Sequence, residues 1–418
     1  MLKRINQILW AIFLFTFPLS IRFVVYENAG YRFGNFNPWV TGFFYLPEIL
    51  LGIVFILWLI TESSSVRSKI SELTPHEIKR KSILLFLLLL FLVNAGIVTF
   101  LKGDPALYGF FLLRAVEAVI ISALIINQLL PEKTVVSILL GGAVFQMVWS
   151  WAQWRLNHSL GLNLIGESTL GPDVSGVAKI DLSDGGKQIR PYGSFLHPNI
   201  LATYLMVIMF ISLAYLKKYK YLMWLVILTG GIYFTHSTAA AVAVLMCFAL
   251  MAAFSYLKDM QYKRFAAGIV LVILFLGSAW FFVNSSSVKF GDNSWQERLN
   301  QNQISRDMFY ANPLGIGIGN YTLEMEQFGD VKFLPWEFQP VHNVYFLVLN
   351  ETGIQGLAIL LLAMYLIFYM YWQKGCVLPL IALALVAPFD HFLFDSFVGF
   401  VLVALAFGFF ALHQRQDS

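Results

Sequence analysis

Apolar runs of about twenty residues recur along this chain, each closed by a polar or charged segment, and a helix needs a run of that length to cross the hydrocarbon core of a bilayer. Twelve such runs predict membrane spans at roughly 7–25, 39–61, 82–101, 107–129, 134–153, 199–216, 221–236, 238–256, 266–283, 342–372, 376–391 and 394–413. The pattern predicts an all-α polytopic membrane protein of about 12 transmembrane helices, with two long outward-facing loops, 154–198 and 284–341. No internal repeat is visible.

Charge sets the orientation. Lys3 and Arg4 precede the first span; Arg67, Lys69, Lys79, Arg80 and Lys81 fill the second connection; Lys217, Lys218 and Lys220 follow the sixth span; Lys258, Lys263 and Arg264 follow the eighth. All fall on one side if the spans alternate, which makes that side cytoplasmic and puts both termini inside. The net charge of +4 is read as this topology signal, so no nucleic-acid partner is expected. With 58% apolar and 12% charged residues, the chain is not a soluble protein with an anchor. The first span has basic flanks but no small-residue cleavage site, so it reads as an uncleaved helix. Cys247 and Cys376 lie in or at the edge of spans and offer neither a disulfide framework nor a metal pattern.

The connector 62–81 reads as amphipathic or flexible. The first outer loop is rich in glycine (Gly161, Gly166, Gly171, Gly176, Gly185, Gly186) and predicts turns and irregular chain. It ends in a segment where Asn199 is a candidate N-cap for the next span. The second outer loop begins Asn284-Ser-Ser-Ser287. It then predicts a helix over Ser294–Tyr310, stopped at Asn312-Pro313. A glycine-rich turn, Gly315-Ile-Gly-Ile-Gly319, and an acidic, aromatic stretch from Glu324 to Phe338 follow.

Three polar clusters face outward: Arg190 with His197, Arg298 with Arg306, and His342 with Asn343. Arginine presents a planar fork of donors that matches phosphate oxygens. Histidine titrates near neutrality and can take a proton from a hydroxyl. Together they describe a group-transfer site in which arginines hold a phosphorylated donor and His342 activates an acceptor. Each residue alone has a plainer reading. Arg298 could pair with Glu297 or Asp292, His197-Pro-Asn199 could be only a helix start, and a lone interfacial histidine is usually structural. The tenth span also carries Asn350 and Glu351, and polar groups within spans are costly. Asn343 and Asn350 share a stripe, while Glu351 points nearly opposite His342 and reads as a structural partner. Arg114 and Glu117, at i and i+3, predict a buried ion pair. Asp390-His391 with Asp395 has ligand-like spacing but reads as a polar turn between the last two spans. Gly315–Gly319 lacks the lysine and the βαβ context of a nucleotide loop, although its backbone donors could touch a phosphate or sugar.

Three segments in order carry a family resemblance. They are Arg190-Pro-Tyr-Gly-Ser-Phe-Leu-His-Pro-Asn-Ile-Leu-Ala202; Arg298 followed by Asn312-Pro-Leu-Gly-Ile-Gly-Ile-Gly-Asn-Tyr321; and His342-Asn-Val-Tyr-Phe-Leu with Glu351-Thr-Gly. They resemble the O-antigen ligase and polymerase superfamily of bacterial membrane glycosyltransferases. The resemblance implies an N-terminal helical part (1–189), a shared domain (190–356) that includes loop 284–341, and C-terminal helices (357–418). It implies inverting transfer from a polyprenyl-pyrophosphate-linked glycan to a lipid, glycan or protein acceptor, at the outer face of the bacterial cytoplasmic membrane. No metal or other cofactor is implied. His342 would be the general base; Arg298, with Arg190 and Arg306, would hold the pyrophosphate; His197, Asn199, His236, Tyr321 and Asn343 are candidate substrate contacts.

One position departs from the pattern. Many members carry an arginine in the turn between the seventh and eighth spans, where this chain reads Thr235-His-Ser-Thr-Ala239, with Thr238 at that place. Arg190 or Arg306 substitutes, His236 takes the place, or the donor is held differently. The resemblance leaves ligase, polymerase and protein oligosaccharyltransferase open. A secondary transporter or flippase is the rival from another class, but its coupling residues would sit at mid-membrane, whereas the polar chemistry here gathers at the outer surface.

Overall fold

Pro18 disfavours helix at Phe17, and the first helix ends there although the apolar run continues. Helix α1 spans Leu2–Thr16, and the chain then extends as β1 (Arg22–Glu27). After two-residue strands β2 (Tyr31–Arg32) and β3 (Asn35–Phe36), β4 (Thr41–Tyr45) returns antiparallel to β1, pairing Arg22 with Tyr45 and Glu27 with Thr41. The ends of the first two expected spans are therefore strand, not helix. Phe23-Val24-Val25-Tyr26 and Thr41-Gly-Phe-Phe-Tyr45 are rich in aromatic and β-branched side chains, which suit a pleated hairpin.

The computed structural model describes residues 1–27, 31–32, 35–71, 75–213, 215, 218–256, 293–329, 337–371 and 377–416. The expected ninth span (266–283), residues 284–287 and 330–336, Lys217, Lys258, Lys263, Arg264, Asp292 and Cys376 lie outside them. The remaining helices, apart from two of four residues at Tyr321–Glu324 and Phe392–Asp395, are α2 (Leu46–Ser71), α3 (Pro75–Lys102), α4 (Pro105–Ile126), α5 (Glu132–Leu156), α6 (Pro198–Leu213), α7 (Lys218–Phe234), α8 (Thr238–Tyr256), α9 (Asn293–Ala311), α10 (Val344–Tyr371), α11 (Leu378–Val386) and α12 (Phe397–Gln416). Among the described residues, four helical stretches are long and apolar enough to cross a membrane: Ser82–Lys102, Pro105–Ile126, Glu132–Leu156 and Val344–Tyr369. Shorter apolar helices run over Pro198–Leu213, Met223–Phe234, Thr238–Ala252, Leu378–Phe389 and Phe397–Leu412.

Arg114 ties the hairpin to the bundle. It pairs with Glu117, as the spacing predicts, and also with Glu48 of α2, and its Nη2 donates to the Phe43 carbonyl at 2.6 Å. A buried charge survives only when paired and hydrogen-bonded, and here the pairing joins α2, β4 and α4.

The first outer loop is more ordered than its glycines suggest. Strands β5 (Lys179–Asp181) and β6 (Lys187–Ile189) form a hairpin about Asp184-Gly185-Gly186. Upstream, Glu167 accepts hydrogen bonds from the backbone of Leu160 and Leu162 and from Gln153 and Trp149 on α5. Burial pushes its carboxyl up, but these donors outweigh burial and hold it below the usual range.

The glycine-rich segment is not an exposed turn. Helix α10 is interrupted at Gly353 (φ 77, ψ 178), which leaves helical backbone groups without partners. The glycine segment supplies them. Ile316 and Gly317 N–H donate to the carbonyls of Asn350 and Glu351, both at 2.9 Å, and Ile354 N–H donates to Pro313 O at 3.1 Å. Ile318 N–H reaches Thr99 Oγ1, and Gly319 N–H reaches Glu351 Oε1. Irregular backbone is tolerated at such depth only when buried and satisfied in this way. Gly315 (φ 97) is required by the close approach, because a Cβ there would sit 2.7 Å from Gly353 N. The backbone donors expected to reach a phosphate or sugar are therefore occupied within the protein.

The apolar interior falls into two main clusters. One gathers residues of α1, α2, α4, α5, α6, α8, α11 and α12. The other packs α9, the glycine segment and the first half of α10, with Met308, Tyr321, Val341 and Leu347 at its centre. The polar residues described next stand where the ends of α9, α10 and α11 meet.

Candidate active site

His342 stands two residues ahead of α10. Asn343 caps that helix, its Oδ1 accepting from the N–H of Tyr345 (2.9 Å) and Phe346 (3.3 Å), as N-cap residues do. The Asn343 oxygen is thus spent on fixing the helix start rather than on a substrate. The His342 side chain is 17% exposed, and its Nδ1 lies 3.9 Å from Asp390 Oδ1, an ion-pair distance rather than a hydrogen bond.

Asp390 follows the short turn Ala387–Phe389 at the end of α11 and is buried. Its Oδ1 accepts from His391 N–H, and its Oδ2 accepts from Asn199 Nδ2 at 3.0 Å. Asn199 Oδ1 in turn accepts from Arg190 Nη2 at 2.9 Å, and Arg190 Nε donates to the Thr235 carbonyl at 2.9 Å. A polar chain therefore runs from His342 through Asp390, Asn199 and Arg190 to the turn between α7 and α8. Asn199 is not the cap of α6. Its own N–H donates to His197 Nδ1 at 3.2 Å, so His197 occupies the capping place and frees the Asn199 side chain.

The segment carrying Arg190 is positioned by two glutamines of α5. Gln153 Oε1 accepts from Tyr192 and Gly193 N–H, and Gln146 Oε1 accepts from Ser194 N–H. Gly193 (φ 62) leaves no room for a side chain beside Gln146.

On the opposite side, Arg298 donates from Nη1 to the Phe389 carbonyl at 3.4 Å, directly before Asp390. His391 lies against His342, with ring centroids 5.3 Å apart and planes tilted by 35°, and meets the Trp39 ring edge to face. Its Nδ1 bonds Asp395 Oδ2 at 2.7 Å.

The electrostatics divide the three ring systems. Burial lowers His342 below its ordinary value of 6.5, with Asp390 only partly offsetting it. Burial pushes His197 down to about 3. Burial also opposes the charge on His391, but Asp395 and Asp390 outweigh it and hold this imidazole above its ordinary value. Burial raises Asp390, yet His342, His391 and His197 together hold its carboxyl well below the usual range. Near neutral pH, His342 is thus a neutral base facing a carboxylate, beside an imidazole whose charged form Asp395 and Asp390 favour.

Of the residues singled out from the sequence, His342, Arg190, His197, Asn199 and Arg298 come together. His236 lies exposed in the α7–α8 turn, next to the Thr235 that Arg190 grips, with a left-handed backbone (φ 53). Arg306 is eight residues beyond Arg298, about 12 Å along α9, and its Nε bonds Asp307. Tyr321 is buried in the second core, its hydroxyl on the Gln301 carbonyl. Sequence reasoning read Asp390 as part of a polar turn and left out Gln146, Gln153 and Trp39. The parity of the spans was the available signal for Asp390, since it puts the turn after the eleventh span on the same side as His342.

His342, His391 and Asp390 offer ligand atoms that all lie within 4.8 Å of one another, types that a divalent cation accepts. Both Arg298 and Arg190 bear on His197, Arg298 also on His342 and Arg190 also on Asp390, and two guanidiniums favour an anion at this place. The arrangement can accept a proton at His342 and neutralise a phosphate beside it.

No curated protein and no solved structure gives a significant match. The family model described as O-antigen ligase (Wzy_C) matches residues 223–361, which include α9, the glycine segment and His342 and begin after the Arg190 segment; the match supports the resemblance of this part of the chain to the O-antigen ligase superfamily.

Proposed function

We propose that this protein is a membrane glycosyltransferase that moves a glycan from a polyprenyl-pyrophosphate donor to an acceptor hydroxyl, without a metal, at the outer face of a bacterial cytoplasmic membrane. The observation that carries the reading is the convergence of three separate segments. His342 faces the Asp390 carboxylate, Arg190 reaches that carboxylate through Asn199 of α6 from the segment ahead of that helix, and Arg298 of α9 binds the carbonyl directly before it.

In this reading the acceptor oxygen attacks the anomeric carbon as its proton passes to His342. The bond from that carbon to the pyrophosphate oxygen breaks, and its electron pair leaves with the polyprenyl pyrophosphate. A single displacement inverts the anomeric carbon. The negative charge that builds on the departing pyrophosphate is stabilised by Arg298 and Arg190, fixed donors that need no reorganisation as charge develops. Asp390 stabilises the imidazolium that forms on His342. With the leaving charge neutralised in this way, no separate acid is needed.

Arg190 supports an answer to the missing arginine at Thr238, because it grips that same turn through Thr235 O. The acceptor hydroxyl belongs to a lipid–sugar core, a second lipid-linked repeat or a protein side chain, and the cluster's chemistry is common to all three. The test is release of polyprenyl pyrophosphate together with a new glycosidic product, from purified protein in liposomes. Glycan crossing the bilayer without a covalent product would support a flippase instead.

A further inference from the structure

Asn350 and Glu351 lie about two turns into α10, are 1% and 4% exposed, and bond α9 and the glycine segment rather than His342, Asp390 or the arginines. Polar side chains within a span are costly and call for a reason. Their contacts supply one. Asn350 Nδ2 bonds Ser305 Oγ of α9 at 2.5 Å, and Glu351 Oε1 accepts Gly319 N–H at 2.9 Å. Their carbonyls, released by the break at Gly353, accept Ile316 and Gly317 N–H.

These ties sit at one level beneath the site. Ser305 follows Arg298 by seven residues, about 10 Å along α9, and Asn350 stands eight residues after His342, which lies just ahead of α10. Seven residues turn a helix through nearly two full revolutions, which puts Ser305 and Arg298 on one face of α9. The face that presents Arg298 to the Phe389 carbonyl is thus the face that Asn350 holds.

We infer that Asn350 and Glu351 are positioning residues that latch α9 and its glycine segment to α10 and so fix the span between Arg298 and His342. The inference rests on the glycosyl-transfer reading for what that span does, and on the contacts alone for the latch itself.

The experiment uses the full-length protein with Glu351→Ala, Glu351→Gln and Ser305→Ala. Hydrogen–deuterium exchange is read over residues 313–320, and KM is read separately for a polyprenyl-pyrophosphate glycan and for the acceptor. Glu351→Ala should speed exchange about tenfold and raise the donor KM about tenfold, with the acceptor KM and the acid limb of the pH profile unmoved. Glu351→Gln keeps an acceptor oxygen for Gly319 and should restore both. Ser305→Ala removes Asn350's partner at small cost to folding and should raise the donor KM in the same sense. Unchanged exchange in Glu351→Ala overturns the latch. Faster exchange with donor KM unchanged in both alanine variants reduces these residues to helix packing and overturns the positioning role. A wild-type protein that releases no polyprenyl pyrophosphate defeats the transfer reading instead, and the exchange measurement still decides the latch.

Discussion

Asp390 Oδ1 stands 3.9 Å from His342 Nδ1 while its other oxygen is held by Asn199. The carboxylate is thus anchored from α6 and aimed at the start of α10. It opposes the burial that lowers His342, so its removal should lower that imidazole further. Asp390→Asn is expected to move the acid limb of kcat/KM to lower pH. The optimum rate should fall about 10- to 100-fold, the scale of losing one charged contact. A limb that stays in place would mean that Asp390 does not face the base.

The two arginines of α9 are expected to differ. Arg298 reaches the Phe389 carbonyl beside Asp390, whereas Arg306 bonds its neighbour Asp307 about 12 Å further along the helix. Arg298→Ala should weaken binding of the polyprenyl-pyrophosphate donor by roughly tenfold or more, and Arg306→Ala by less than about threefold. Donor titration of the two variants checks this, and equal losses would put Arg306 in the clamp.

His391 should leave a pH signature in stability. Asp395 and Asp390 hold its folded value above the ordinary 6.5. The stabilisation is therefore fully present below that ordinary value and is lost as pH rises through the raised one. Asp395→Asn removes the main partner. The difference in Tm between wild type and Asp395→Asn should be largest at about pH 5.5, corresponding to about 1–3 kcal/mol, and should shrink by about pH 8.5. A difference independent of pH would assign the loss to packing.

The helical plan was legible wherever an apolar run was long and uninterrupted, as in α4 and α5. It misled at the first two spans, where Phe23-Val24-Val25 and Phe43-Phe44 are as apolar as any helix but belong to a hairpin. Hydropathy cannot separate these cases, whereas Pro18 and the β-branched composition can. The helix ahead of Asn312-Pro313 was predicted within a residue at each end. The break at Gly353 was not foreseen, because one glycine within a span does not show that a distant segment will dock on it. The site was half legible. His342, Arg190 and Arg298 could be named from side-chain chemistry and order. Asp390 could not, because its part depends on which helix ends meet, and a polar turn between spans is ordinary in itself. Asn343 and Asn199 exchanged expected duties for a local reason: whichever side chain reaches the free N–H groups first becomes the cap, and here Asn343 and His197 do so.

The most direct measurement is release of polyprenyl pyrophosphate and formation of the glycosidic product by purified wild-type protein and by His342→Ala, with the same donor and acceptor in liposomes. Wild type should yield both products in equal amounts, whereas His342→Ala should still bind donor but lose transfer by about 100-fold or more. Full transfer by His342→Ala would contradict a general base at His342.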